Sequence, residues 1–299
     1  MLDVRWISCV PAPTEAPRWA PANTVLYAVG DIHGRLDLLE AMLDAIEAHA
    51  SQRPGALLQV IFLGDYLSRG HDSRGVVERV LSWRVNRLEP WRVITLKGNH
   101  EDLALRYLSG DLEAARHWFD YDGLDALRDY GVALPTQRQL SAAPLEPGAL
   151  AQPVPVPMTP VAKAFDDATL QSLRHDFVNA LPATHLAFLE SLLVSHRAGD
   201  YHFVHAGVRP GVALEAQTAF DQMWIRKRFL ECDSEHGALV VHGHTVAPQP
   251  QVRANRIGID TGAYASGVLT CLVLEGPQRA FMQAVGQPQS TTALPSLHA

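Results

Sequence analysis

The stretch VIFLGDYLSRG, residues 60–70, runs apolar for four residues, then places a glycine, an acid and, four positions beyond the acid, an arginine. An apolar, β-branched run bounded by glycine reads as a buried strand. Two readings fit a carboxylate at its end: Asp65 caps the next segment, or it is held at a strand tip because something charged sits there. The pattern recurs on either side. TVLYAVGD (24–31), LLQVIFLGD (57–65) and WRVITLKGNH (91–100) each close on Gly plus a polar residue. Between the first two lies LDLLEAMLDAIEAHA, with Leu39, Met42, Leu43 and Ile46 at helical spacing, and SRGVVERVLSWRV between the second and third reads as another helix. A β-α-β-α-β opening of this kind implies parallel strands with helices packed on the sheet, an α/β arrangement.

Farther along, residues 101–132 are helical in pattern, and prolines follow at 135, 144, 147, 153, 155, 157 and 160. Each proline lacks a backbone donor and fixes φ, so this region fits neither a packed helix nor a central strand. It reads as a surface insertion over 133–163, a lid or a loop. Helical pattern returns over 166–194, and YHFVHAGV (201–208), GALVVHGHT (237–245), RIGIDTG (256–262) and VLTCLVLE (268–275) read as strands. Residues 1–23 read as an extended lead-in, 24–279 as one domain, and 280–299 as a tail.

With 299 residues, 47% of them apolar, the chain can bury a large core. A net charge of −7 and a pI near 6.0 argue against a surface for nucleic-acid polymers, which select clustered Lys and Arg. Cys9, Cys232 and Cys271 have neither zinc-ligand nor redox spacing, which suits a reducing compartment. The amino terminus lacks the basic start and apolar run of an export signal, and no apolar run reaches the roughly 18 residues of a membrane span. The expectation is a soluble, cytoplasmic protein with no membrane partner; the oligomeric state is left open.

Five apolar runs end in GDIHG, GDYLSRG, GNHE, HAG and GHT. Singly each is weak, because an acid after a strand is usually a turn or cap and a lone histidine is usually packing. Together they supply Asp31, His33, Asp65, Asn99, His205 and His244, all at carboxyl ends of strands, and in an α/β sheet those ends share one crevice. Two carboxylates, three imidazoles and an amide oxygen suit Mn, Fe or Zn. Six protein donors exceed what one catalytic ion needs. Two ions about 3.5–4 Å apart, sharing a carboxylate, fit better, with Asp65 as the natural bridge. Gly30, Gly34, Gly64 and Gly98 let the backbone turn sharply beside these donors.

The ordered set GDIHG, GDYLSRG, GNHE, HAG and GHT, spread over residues 24–275, resembles the metallophosphoesterase signature, specifically the phosphoprotein phosphatase branch and its bacterial serine/threonine phosphatase type. The resemblance implies a central β-sandwich flanked by helices, with the carboxyl-terminal strands in the second sheet. It implies two divalent ions, Mn first and Fe, Zn or Mg as alternatives. Asp31 and His33, with Asp65, match the ligands of the first; Asp65, Asn99, His205 and His244 match those of the second. His100 matches the histidine that protonates the leaving oxygen, Arg69 one phosphate-clamping arginine, and Arg226, rather than Arg228, the other. The implied reaction is hydrolysis of a phosphomonoester, on protein Ser, Thr or Tyr or on a small molecule, by direct attack of a metal-bridging hydroxide. Two alternatives stand beside it: a symmetrical diadenosine-tetraphosphate hydrolase, and a regulatory module that binds metal or phosphate with little catalysis.

Ser68 departs from the resemblance. The pattern usually carries an acid here, as in GDYVDRG, which orients the protonating histidine. With serine in its place, a hydroxyl or water substitutes, Glu101 or Asp102 supplies the charge, or the substrate has a good leaving group. Among the other histidines, His71, His117, His175, His185, His196, His202 and His236 read as surface or packing residues, and His242 as a wall or as a residue supporting the ligands. Asp260 either orients a ligand histidine or caps a turn. Trp118, Phe119 and Tyr121 either line a groove or pack a helix.

Overall fold

The computed structural model describes residues 2–8, 17–87, 89–135 and 165–288. Most of the expected insertion and the chain's last residues lie outside them. The strands are β1 (Asp3–Ser8), β2 (Thr24–Val29), β3 (Leu57–Phe62), β4 (Trp91–Thr95), β5 (Ser195–Ala198), β6 (Tyr201–Val204), β7 (Leu239–His242), β8 (Gln251–Val252), β9 (Arg256–Gly258), β10 (Val268–Glu275) and β11 (Gln278–Val285). The helices are α1 (Leu36–Ala50), α2 (Ser73–Asn86), α3 (Asn99–Leu108), α4 (Leu112–Phe119), α5 (Gly123–Asp129), α6 (Asp167–Ala180), α7 (Ala183–Glu190), α8 (Ala219–Trp224), α9 (Lys227–Leu230) and α10 (Ala263–Ser266).

The strands form two sheets, one ordered β1-β11-β10-β2-β3-β4 and the other β5-β6-β7-β9-β8. Side chains alternate across each strand, so β2 feeds two cores at once. Its Leu26 and Ala28 meet Ile61, Phe203, Val241 and Ile257 between the sheets, while Val25, Tyr27 and Val29 face α1 and α2. The result is a β-sandwich with helices on the outer face of the first sheet, as expected for an α/β chain of this pattern. Val204, Val240 and Phe229 make a smaller core on the outer face of the second sheet.

Register places the site. β2, β3 and β4 are parallel, with Val29 opposite Phe62 and Phe62 opposite Thr95, so their carboxyl ends finish level. In the second sheet β6, β7 and β9 are also parallel. The loops carrying Asp31, Asp65 and Asn99 therefore open at one edge of the sandwich, and those carrying His205 and His244 meet them there.

The structure departs from the expected layout near both ends of the chain. VLTCLVLE does not join the second sheet: β10 lies antiparallel to β2 in the first. Residues 280–285, expected as tail, belong to β11, and residues 3–8 of the lead-in form β1 along its outer edge. Pairing supplies the reason, since β11 satisfies the backbone of β10 and β1 in turn satisfies that of β11. Lead-in residues also dock on the second sheet, where the Trp19 N–H donates to Asp200 Oδ2 at 2.8 Å.

Candidate active site

The loops that carry the polar set have an unusual backbone. His33, Asp65 and His244 have φ of 46°, 53° and 64°, and Ser68 and Arg69 have φ of 73° and 67°. Left-handed φ costs a residue with a Cβ about 1–3 kcal/mol and persists only where the surroundings over-determine it. Much of that determination comes from Glu101. Its Oε2 accepts from the Asp65 and Gly98 amides, each at 2.9 Å, and its Oε1 from Tyr66 and Leu67 at 2.9 and 3.1 Å. Glu101 is thus both the third residue of α3, reaching back to its cap, and the clamp on the Asp65 turn.

Around Asp65 the side chains converge. Its Oδ2 lies 3.3 Å from His33 Nε2, and its Oδ1 lies 3.5 Å from His205 Nε2. His205 Nε2 is 2.9 Å from Asn99 Oδ1 and 3.2 Å from His244 Nδ1. Two donor triplets each fall within 4.8 Å: Asp65, His205 and His244, and Asp65, His33 and His100. Asp31 adjoins them rather than joining either triplet. Its Oδ2 accepts from the His244 amide at 2.9 Å, and its Oδ1 is buried with no partner among the described residues. The six residues read from the strand tips are thus neighbours, and His100 stands with them.

This arrangement fits cations. His205 Nδ1–H donates to the Leu63 carbonyl at 3.0 Å, which leaves Nε2 as a lone pair facing two oxygen acceptors, Asn99 Oδ1 and Asp65 Oδ1, with His244 Nδ1 3.2 Å away. Converging lone pairs without a proton between them call for a positive charge. His33 is set the same way, its Nδ1–H on the Leu67 carbonyl at 2.8 Å. Two glycines leave the carboxylates their room: a Cβ on Gly98 would lie 2.1 Å from Asp65 Oδ1, and one on Gly243 would lie 1.9 Å from Asp31 Oδ1.

Electrostatics agree with the geometry. Burial, followed by the charges of Asp260 and Asp65, pushes the Asp31 carboxyl well above its usual range. Burial would raise Asp65 too, but His205, His100 and His33 hold it well below that range. Burial lowers His205 and lowers His100 further; it brings His244 down to about 2, with His205 and Arg226 adding to the effect. Neutral imidazoles are the donor state a metal takes, and a cation held in the cluster would draw the Asp31 carboxyl back to its charged form.

Near Ser68 the structure narrows the alternatives. Ser68 Oγ accepts from the indole Nε1–H of Trp118 at 3.0 Å. The Glu101 carboxylate is committed to the backbone amides, and Asp102 lies 4.0 Å from Arg106 on the other side of α3. Among the described residues neither ring nitrogen of His100 has a hydrogen-bond partner, and Asp65 Oδ2 is 4.0 Å away. Glu101 and Asp102 therefore do not supply the expected charge.

A cavity of about 200 Å³ opens over this cluster, with Asp65, Asn99 and His244 on its floor and Arg69 and Arg226 beside them. Arg69 is held by three neighbours: its Nη1 donates to His33 Nε2 at 3.1 Å, its guanidinium lies 4.7 Å from the Tyr264 ring centroid, and Asp122 Oδ2 is 3.9 Å from its Nε. Arg226 Nη1 donates to the His244 carbonyl at 3.3 Å. His117, Tyr121 and Trp224 complete the wall. Trp118 and Phe119 are buried in the helical core instead, so of the three aromatics weighed for a groove only Tyr121 lines one. His117, read from sequence as surface or packing, and Trp224 went unrecognised; Trp224 lies two residues before Arg226, a spacing too common to single it out. His242 does not line this cavity but is buried edge-on to Phe229 at 5.1 Å, and Asp260 caps a turn through the Gly262 amide at 2.9 Å.

The family model described as calcineurin-like phosphoesterase matches residues 24–262. A Caenorhabditis elegans protein of uncharacterised function, F44B9.9, is 33% identical over 87 residues, covering 27% of this chain and 34% of that protein. This chain therefore spans about a third of the length of that relative. Among solved structures, a candidate diadenosine tetraphosphatase superposes with a TM-score of 0.54 at 18% identity, covering 91% of this chain and 100% of the other, a likeness of fold. A point mutant of a cold-active protein tyrosine phosphatase superposes with a TM-score of 0.48 at 14% identity, covering 88% of this chain and 80% of the other.

Proposed function

The chain belongs to the calcineurin-like phosphoesterase family, and from that premise we propose that it is a divalent-metal-dependent phosphomonoesterase acting on phosphorylated protein side chains. One observation carries the reading: Asp65 joins two buried donor triplets on the floor of a cavity whose rim holds two arginines. Family membership implies divalent ions. Asp31, His33 and Asp65 would hold one, and Asp65, Asn99, His205 and His244 the other, with Mn the first choice for this donor set and Fe, Zn or Mg the alternatives. Ions bound there supply Lewis acidity and lower the pKa of water to about 7.

The chain's own residues do the rest. Arg69 and Arg226 present planar guanidinium forks to phosphoryl oxygens, and such forks pair with them bidentately. Tyr264 and Asp122 fix the pose of Arg69. With the negative charge of the phosphoryl group beside it favouring the imidazolium, His100 hands a proton to the departing oxygen. Phosphate leaves with one oxygen from water, and the side-chain hydroxyl is restored.

The test starts from chelated, metal-free protein refilled in turn with Mn, Fe, Zn and Mg and offered phosphoseryl, phosphothreonyl and phosphotyrosyl peptides. Turnover that returns with a metal and disappears with chelator is the expected result. No turnover with any of the four ions overturns the proposal and leaves the regulatory-module alternative. A second reading, symmetrical hydrolysis of diadenosine tetraphosphate, draws on Ser68: a nucleotide leaving group is a weak base and needs less help from His100 than an alkoxide does. Higher kcat/KM on the dinucleotide than on every phosphopeptide would establish it.

A further inference from the structure

His117, Tyr121 and Trp224 bring three ring systems to one wall of the cavity that also holds both arginines. His117 and Trp224 lie almost parallel, 18° apart with centroids 5.3 Å from one another, and Tyr121 leans on His117 at 5.2 Å. Outside the cavity Phe220 continues the stack, 17° from the plane of Trp224 at 6.1 Å, with 65% of its surface exposed. The inner end is close to the chemistry, since the Trp224 centroid is 6.5 Å from the ring of His244. Exposed His117 and Tyr121, backed by half-buried Trp224 beside a phosphate-sized site, offer a surface against which another planar ring can pack.

We propose that this wall selects aryl phosphate monoesters, with the ester's ring, such as that of a tyrosyl side chain, lying against His117, Tyr121 and Trp224 while its phosphoryl group meets Arg69 and Arg226. The inference rests on the phosphomonoesterase reading and narrows its substrate class. Size and charge favour a single ring bonded directly to the phosphoryl oxygen. A cavity of about 200 Å³ is below the roughly 300–1,000 Å³ usual for larger ligands, and it presents two arginines, enough for one phosphoryl group. In the reaction the bond between phosphorus and the phenolic oxygen breaks, water supplies the new oxygen on phosphorus, and a proton returns to the phenolate.

The test compares metal-loaded protein on one peptide sequence carrying phosphotyrosine or phosphoserine, with AMP and diadenosine tetraphosphate as further arms. Exposed His117 and Tyr121 are replaced together (His117→Ala, Tyr121→Ala). Wild type should favour the tyrosyl over the seryl peptide in kcat/KM, and the double variant should lower that ratio about tenfold, mainly through KM, the scale of one or two ring contacts. A ratio near one in wild type, an unchanged ratio in the variant, or a preference for either nucleotide overturns the proposal. Calorimetry with benzylphosphonate and methylphosphonate separates the two readings. If no ester is turned over, the hydrolase reading fails alone, and tighter binding of the benzyl probe that disappears in the variant still supports the wall; equal binding of both probes by wild type sinks it.

Discussion

The indole N–H of Trp118 donates to the hydroxyl of Ser68 at 3.0 Å, and both side chains are fully buried. The serine is thereby tied to α4 and the helical core. Its substitution should register in stability before it registers in chemistry. Ser68→Ala leaves a buried indole donor unmet, at about 1–3 kcal/mol, so the melting temperature falls. The ratio of rates on phenyl and alkyl phosphates should stay as in wild type, and a marked change in that ratio would return Ser68 to the proton-transfer apparatus.

His100 faces the opposite question, because it stands within reach of Asp65 and His33 yet has no hydrogen-bond partner among the described residues. His100→Asn should retain both metal equivalents by elemental analysis and slow turnover about 10²- to 10⁴-fold, most severely on leaving groups of high pKa. Loss of one metal equivalent would instead make His100 a ligand.

Gly98 has an ordinary backbone conformation, φ −88° and ψ 175°, so any effect of adding a methyl group is steric. In Gly98→Ala the new carbon would sit 2.1 Å from Asp65 Oδ1. Metal content and activity should both fall sharply while the far-ultraviolet circular dichroism spectrum keeps its shape. Normal metal content would mean that Asp65 can move aside.

Glu101→Gln turns one acceptor oxygen into an amide NH2 that confronts backbone N–H groups. Two of the four amides now held at 2.9–3.1 Å would lose their acceptor, whichever way the amide is turned. Each buried donor left unmet costs about 1–3 kcal/mol. A lower melting temperature and weaker metal retention are expected, both measurable by calorimetry; an unaltered melting curve would deny Glu101 its part in holding the turn.

Acid should weaken the fold through His202. Burial pushes this imidazole down to about 4, with Arg197 and His196 adding to the effect and Gln222 and Glu215 opposing it, against about 6.5 in an unfolded chain. Between those values the unfolded state binds more protons, so stability is full above about pH 6.5 and declines as pH falls toward about 4. The melting temperature should drop over that window, and His202→Phe should make the drop shallower. Parallel curves for the two proteins would assign the acid sensitivity elsewhere.

Much of this site is written in local sequence. GDIHG, GDYLSRG, GNHE, HAG and GHT each combine a glycine with a polar residue at a strand end, and parallel register carries those ends to one edge. β2, β3, β6 and β7 are legible because strands buried on both faces are nearly continuous apolar runs. β11 is harder to read, since polar Gln278, Arg279 and Gln283 interrupt its apolar residues, and β1 holds its place only by lying against it. The aromatic wall leaves no local mark: His117 and Trp224 come from α4 and α8, more than a hundred residues apart, and only tertiary packing makes them neighbours. The engagement of Ser68 by Trp118 is invisible for the same reason.

The closure of β11 by β1 bears on how the protein can be handled. Trimming the chain to its first motif strand at Thr24 would remove a segment whose described residues form no hydrogen bond or ion pair with a site residue, yet it would strip β11 of its outer partner from Ala280 to Val285. An uncovered edge recruits other edges. Light scattering of the shortened protein should reveal self-association, and a fusion partner is better attached at the carboxyl terminus than in place of those opening residues.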